Sequence, residues 1–292
     1  MAALYRFFPA VLGILVSGAL AAPAADESPR ELLARADELR REGSFRLARE
    51  TYEKIIRMGN QADAAARAAA RVWAADARWR ERTGEEANQK AERELSRLAE
   101  DLPEDSPLRA EAAESLGDLR EEAGRWGESY PGQVEAWLKA LKYWSEATDL
   151  PTARPRYIAL NFKIAEAMMR LGLVPLPDTP VIRAIGILPP PPPRDRPWEK
   201  DLASWALRNV LRVGQDPAER TRAYLMLGQL RSQRRAIPLQ GRPQPIPEEQ
   251  WKQWDKEAEE YFKKAAGIEP RNEWTDDALW ELSQYDNGRE RY

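Results

Sequence analysis

The side chains best placed for acid–base chemistry are neighbouring carboxylates: Glu121/Glu122, Glu248/Glu249 and Glu259/Glu260. Such chemistry needs two carboxyls held in one pocket with separated pKa values. Adjacent glutamates on a helix diverge by about 100° and normally sit on a solvated face. The chain has no cysteine and no histidine, so thiol chemistry, cysteine–histidine zinc sites and histidine-dependent triads are all excluded. No Asp-x-Asp-x-Asp-Gly calcium loop and no Gly-x-x-x-x-Gly-Lys phosphate loop occurs. These absences predict no catalytic residue, no metal ligand and no cofactor. One enzymatic alternative survives them: a carbohydrate-active or cell-wall enzyme working with carboxylates alone, as inverting glycosidases do. It would need two carboxylates facing each other across an aromatic-lined cleft.

Charge is balanced, with 45 Lys and Arg against 48 Asp and Glu, a net −3. Nucleic-acid binders usually carry a strong basic excess or patch, so no nucleic-acid partner is expected. The first residues read as an export signal. Arg6 precedes an apolar run from Phe7 to Val16, and Ala19 and Ala21 form an A-x-A cleavage site. The run is shorter than the roughly 20 residues a membrane-spanning helix requires, and no comparable run follows. Residues 1–21 are therefore expected to be a signal peptide, and residues 22–292 a periplasmic or secreted protein with no membrane span.

Beyond the signal the sequence is rich in Ala, Arg, Glu and Leu, which lose little rotamer freedom in helices. No alternating strand pattern is present. Ser28-Pro29-Arg30-Glu31 and Asp216-Pro217-Ala218-Glu219 each offer a cap, a first-turn proline and a returning glutamate, and Thr83-Gly84-Glu85-Glu86 offers a third capping box.

Spacing within the helices repeats. An alanine, a large residue four later and a small or aliphatic residue three beyond recur at Ala48/Tyr52/Ile55, Ala91/Leu95/Leu98, Ala140/Trp144/Ala147, Ala203/Leu207/Val210 and Ala258/Phe262/Ala265. Pro103, Pro151 and Pro270 follow three of them. Before them stand Gly43 with Phe45, Leu116-Gly117 with Leu119, and Tyr224-x-x-Leu227-Gly228. Taken together these resemble the tetratricopeptide-repeat (TPR) family over nearly the whole mature length. The resemblance implies an all-α fold: an irregular α-solenoid of five TPR-like helix pairs and part of a sixth. It is irregular because the five anchor alanines lie 43, 49, 63 and 55 residues apart, against a family period of about 34. Two proline-rich insertions, Leu173 to Pro197 (with Pro189 to Pro193) and Arg234 to Pro247, fall where one helix of a pair hands over to the other.

A narrower resemblance rests on Trp137-Leu138-Lys139-Ala140-Leu141-Lys142-Tyr143-Trp144, Asp149-Leu150, Ala153-Arg154-Pro155-Arg156-Tyr157 and Asp276-Asp277-Ala278-Leu279-Trp280. These are similar to the helical N-terminal segment of some bacterial alpha-2-macroglobulin-like proteins. In that family the macroglobulin domains and the protease-trapping thioester lie further downstream, and none of that machinery is in these residues. The sixth pair is expected to be cut off after its first helix, Thr275 to Asn287, leaving Leu279 or Trp280 without a partner.

Solenoids work by presenting surface, so the expected function is an exported interaction scaffold for protein or envelope partners, not an enzyme. Of the 11 tryptophans, Trp73, Trp79, Trp137, Trp144, Trp205 and Trp280 are expected to fill space between helices. Trp198, Trp251 and Trp254 flank the insertions and are the candidates for a partner surface, where aromatic rings supply large contact area.

Overall fold

A computed structural model describes residues 27–126, 130–150, 152–171, 202–232 and 248–289. The signal segment, both proline-rich insertions and Trp198 lie outside these residues, as does the side chain of Trp251. Among the described residues there are eleven α-helices and no strand. They are α1 (Pro29–Arg41), α2 (Phe45–Arg57), α3 (Ala64–Arg80), α4 (Glu85–Asp101), α5 (Pro107–Trp126), α6 (Tyr130–Asp149), α7 (Arg154–Leu171), α8 (Leu202–Val213), α9 (Pro217–Ser232), α10 (Glu248–Ala266) and α11 (Thr275–Arg289). None of them is long and apolar enough to cross a membrane.

Side-chain caps mark three of the helix starts. Ser28 closes a true capping box: its hydroxyl accepts from the Glu31 N–H, and the Glu31 carboxylate accepts from the Ser28 N–H at 2.9 Å. Asp63 caps α3 by accepting from Ala66 N at 2.7 Å. Asp216 accepts from Ala218 N at 2.9 Å, with Pro217 as the first residue of α9. The box expected at Thr83 does not form. There α4 begins at Glu85, so the cap position falls on Gly84, whose φ of 122° suits glycine and whose missing side chain leaves nothing to bond.

Each helix packs on its neighbours in sequence, and α1 also meets α3, α3 meets α5, and α9 meets α11. The result is a solenoid-like row of five pairs, α1/α2 to α9/α10, with α11 after them. The five anchor sets mark the second helices, and all but Leu98, which is half-buried, are buried. Burying a large apolar side chain contributes about 1.5–3 kcal/mol, so this register dominates the packing. Three glycines on first helices, Gly117, Gly124 and Gly228, make room for a ring of the partner helix, Trp144, Trp137 and Phe262 in turn. A Cβ on Gly117 would stand 2.3 Å from the Trp144 ring, and one on Gly228 would stand 2.4 Å from Phe262.

The core divides into four clusters: α1 to α3, α3 to α5, α5 to α9, and α9 to α11. Half-buried aromatics stitch them together, Trp73 between the first two and Tyr224 between the last two. Trp79, Trp137 and Trp144 fill space between helices as expected. Trp205 and Trp280 do not, because both are exposed. Leu279 beside Trp280 is exposed too.

Candidate interaction surface

Of the three tryptophans expected to offer a partner surface, only Trp254 has a described side chain, and it is buried. It stands four residues before the anchor Ala258, on the same side of α10. Buried and half-buried charges on the first helices of the pairs form a ladder instead.

The ladder starts at Asp76 of α3, a buried carboxylate. It accepts from the Arg80 guanidinium at 3.0 Å and from Ser115 of α5 at 2.6 Å, and lies 3.8 Å from Arg40 of α1. Arg80 reaches on to Asp118 of α5 at 3.1 Å. Asp118 also accepts from Lys163 of α7 at 2.6 Å and from the Trp144 indole N–H at 3.1 Å. Lys163 in turn holds Glu114 at 2.9 Å, and Arg156 of α7 holds Glu114 at 3.0 Å and also Glu111. Farther along, Arg222 of α9 pairs with Glu166 of α7 and lies over the rings of Phe162 and Trp274. Each rung is thus shared by two successive units.

The electrostatics follow from half-burial. For Lys163, burial alone would lower the pKa, yet the charges of Asp118 and Glu114 outweigh it and hold the ammonium above its ordinary value. Arg80 is held up in the same way by Asp76 and Asp118. Glu111 behaves oppositely: burial pushes its carboxyl up, and pairing with Arg156 only partly offsets this.

Between α3, α5 and α7 the ladder borders a groove of about 390 Å³. Phe45 and Trp79 give it apolar surface; Arg80, Asp118 and Lys163 line it, and Arg82, Glu121, Glu122 and Arg125 complete it. This is where carboxylates gather beside an aromatic ring, as the enzymatic alternative requires. Every one of them is engaged by a cation: Asp118 by Arg80 and Lys163, Glu121 by Arg125, and Glu122 by Arg82 at 3.0 Å. Among the described residues no three acidic side chains converge as they would around a metal ion.

None of Asp76, Arg80, Asp118 or Lys163 stands out in the sequence. A signal was present in their intervals: Arg40 and Arg80 are 40 residues apart, and Asp76 and Asp118 are 42 apart. Both are close to the first anchor interval. Comparison with known protein families, with curated proteins and with solved structures finds no match for this chain.

Proposed function

We propose that the chain is an exported, TPR-like scaffold that holds a protein partner against the face formed by its first helices. The observation that carries this reading is the groove at the junction of α3, α5 and α7. It combines aromatic surface with several charged groups on a rigid support, the composition that concentrates binding energy at protein interfaces. Its supports are helices whose rotamers are fixed by anchor packing and by shared ion pairs, so ligand contacts there are pre-organised. Export rests on the signal-like residues 1–21, and a place at the head of a macroglobulin-like envelope protein rests on the segments around Trp144 and Trp280.

The reading is tested by photo-crosslinking in the producing cells. A crosslinking residue at Glu122, in the groove, should give discrete protein adducts in the exported fraction, with residues 1–21 removed. The same residue at Arg97, exposed on α4, should give none. Adducts absent from Glu122, or equal at both positions, would refute the assignment of the face.

A further inference from the structure

We infer that the groove between α3, α5 and α7 recognises an acidic, extended segment of its partner through Arg82 and Arg125. This rests on the scaffold reading and adds the chemistry of what is bound.

The charges in the groove are layered. The side chains of Arg82 and Arg125 are 75% and 42% exposed, whereas those of Glu122, Glu121 and Asp118 are 31%, 21% and 16% exposed. An approaching molecule therefore meets guanidinium groups first and carboxylates behind them. Asp118 is saturated by Arg80, Lys163 and the Trp144 N–H, which closes the floor to ligands. The two outer cations are differently placed. Arg82 is held by Glu122 and Arg125 by Glu121, and in each pair it is the guanidinium that reaches solvent. Arg82 uses Nη2 on Glu122, and Arg125 uses Nε and Nη2 on one Glu121 oxygen. A guanidinium has five N–H donors, so those left over can meet an incoming carboxylate while the internal pairs are kept.

Arg82 carries a second mark. It stands just past the Glu81 cap of α3 with φ at +54°, and its N–H closes the turn onto Trp79 O at 3.1 Å. Glycine is the residue that ordinarily fills this left-handed position. Here an arginine stands instead, with its side chain lining the groove. Trp126, which follows Arg125 at the end of α5, is 76% exposed. Arginine and tryptophan are the residue types that most often anchor interfaces. The protein as a whole is net negative, so an acidic partner has no general attraction to it, and binding must come from this local arrangement.

The test uses the full mature chain and fluorescein-labelled decapeptides, one of glutamate and aspartate, one of lysine, one of glycine and serine, with a thymidine decanucleotide as a fourth probe. Fluorescence anisotropy should show binding of the acidic peptide that weakens as salt is added. Arg82→Gln with Arg125→Gln should weaken it by about tenfold or more, while Arg97→Gln on the exposed face of α4 leaves it unchanged. Arg82→Gly guards against a folding artefact, because it relaxes the backbone and still removes the guanidinium; it should weaken binding as well. The proposal is overturned if the acidic peptide does not bind, if the double variant binds it as well as wild type, or if Arg97→Gln loses as much. Preference for the lysine peptide, or equal binding of the oligonucleotide, overturns it too. Crosslinking at Glu122 that persists through those outcomes would leave the scaffold reading standing with a partner of other chemistry.

Discussion

Replacing Gly117 by alanine pits two effects of opposite sign against each other. In an exposed helix interior the change is favourable by about 1 kcal/mol, because alanine loses less backbone freedom than glycine. Here the new Cβ would lie 2.3 Å from Cδ1 and Nε1 of Trp144 and 2.9 Å from Cε2. Carbon contacts relax at about 3.5–4.0 Å, so the ring must retreat by more than about 1 Å. It has nowhere to go, because Trp144 is fully buried and its indole N–H is bonded to Asp118. Forcing a methyl into a filled core costs about 1–3 kcal/mol. Losing a hydrogen bond to a charged group adds about 1.5–3 kcal/mol if the ring tips. The balance is a destabilisation of about 0–2 kcal/mol with the indole bond kept and about 1.5–5 kcal/mol with it lost, read as a lower urea midpoint by far-ultraviolet circular dichroism. The slope should be read with the midpoint, because long repeat arrays can lose two-state behaviour. Adding Trp144→Leu to Gly117→Ala should cost less than the two single changes summed, since both act on one contact. A Gly117→Ala protein more stable than wild type would refute the close approach of α5 and α6.

Ala140→Leu should cost about 1–3 kcal/mol by the same overpacking, because Ala140 is fully buried in α6; an unchanged urea midpoint would contradict the register. Asp76→Asn should lower stability by about 1–3 kcal/mol, since it leaves Arg80 and Arg40 without their shared carboxylate. The loss stays below that of a wholly buried pair, because Arg80 keeps about a third of its surface in solvent. Two glutamates should move stability in opposite directions with pH. For Glu53, burial would raise the carboxyl, but Arg49 and Arg78 hold it below its ordinary value. Its contribution is full above the unfolded value and is lost as pH falls through the folded one, so Glu53→Gln should be less stable at pH 7 and converge on wild type in acid. Glu111, raised by burial, contributes at low pH and loses that contribution as pH rises through its folded value. Glu111→Gln should thus be no less stable than wild type at pH 7, as urea titrations across the acid range would show.

The helix pairs were legible in the sequence because burial repeats. Tyr52, Leu95, Trp144, Leu207 and Phe262 each fill the same kind of gap, and a gap that recurs imposes residue size at a recurring place. Helix starts were legible where the cap residue sits directly before the first turn, as at Ser28. At Thr83 the same letters misled, since the turn hands the cap position to Gly84. The charge ladder was hidden for a different reason. Whether Asp118 meets Arg80 and Lys163 depends on how far successive units rotate against each other, and composition does not carry that angle. Tryptophan placement failed in part because a ring beside an insertion, such as Trp254, reads the same whether the chain covers it or leaves it open.

The sharing of Asp118 between α3 and α7 also has a mechanical meaning. Where two units meet through apolar surface alone, a small slip trades one contact for another, because such contacts have no direction. At Asp118 any bend must lengthen charged contacts on both sides at once, and those have no substitute. The row of helices is therefore braced most firmly from α1 to α7, where Asp76 ties α3 to α1 and α5 and Asp118 ties α5 to α3 and α7.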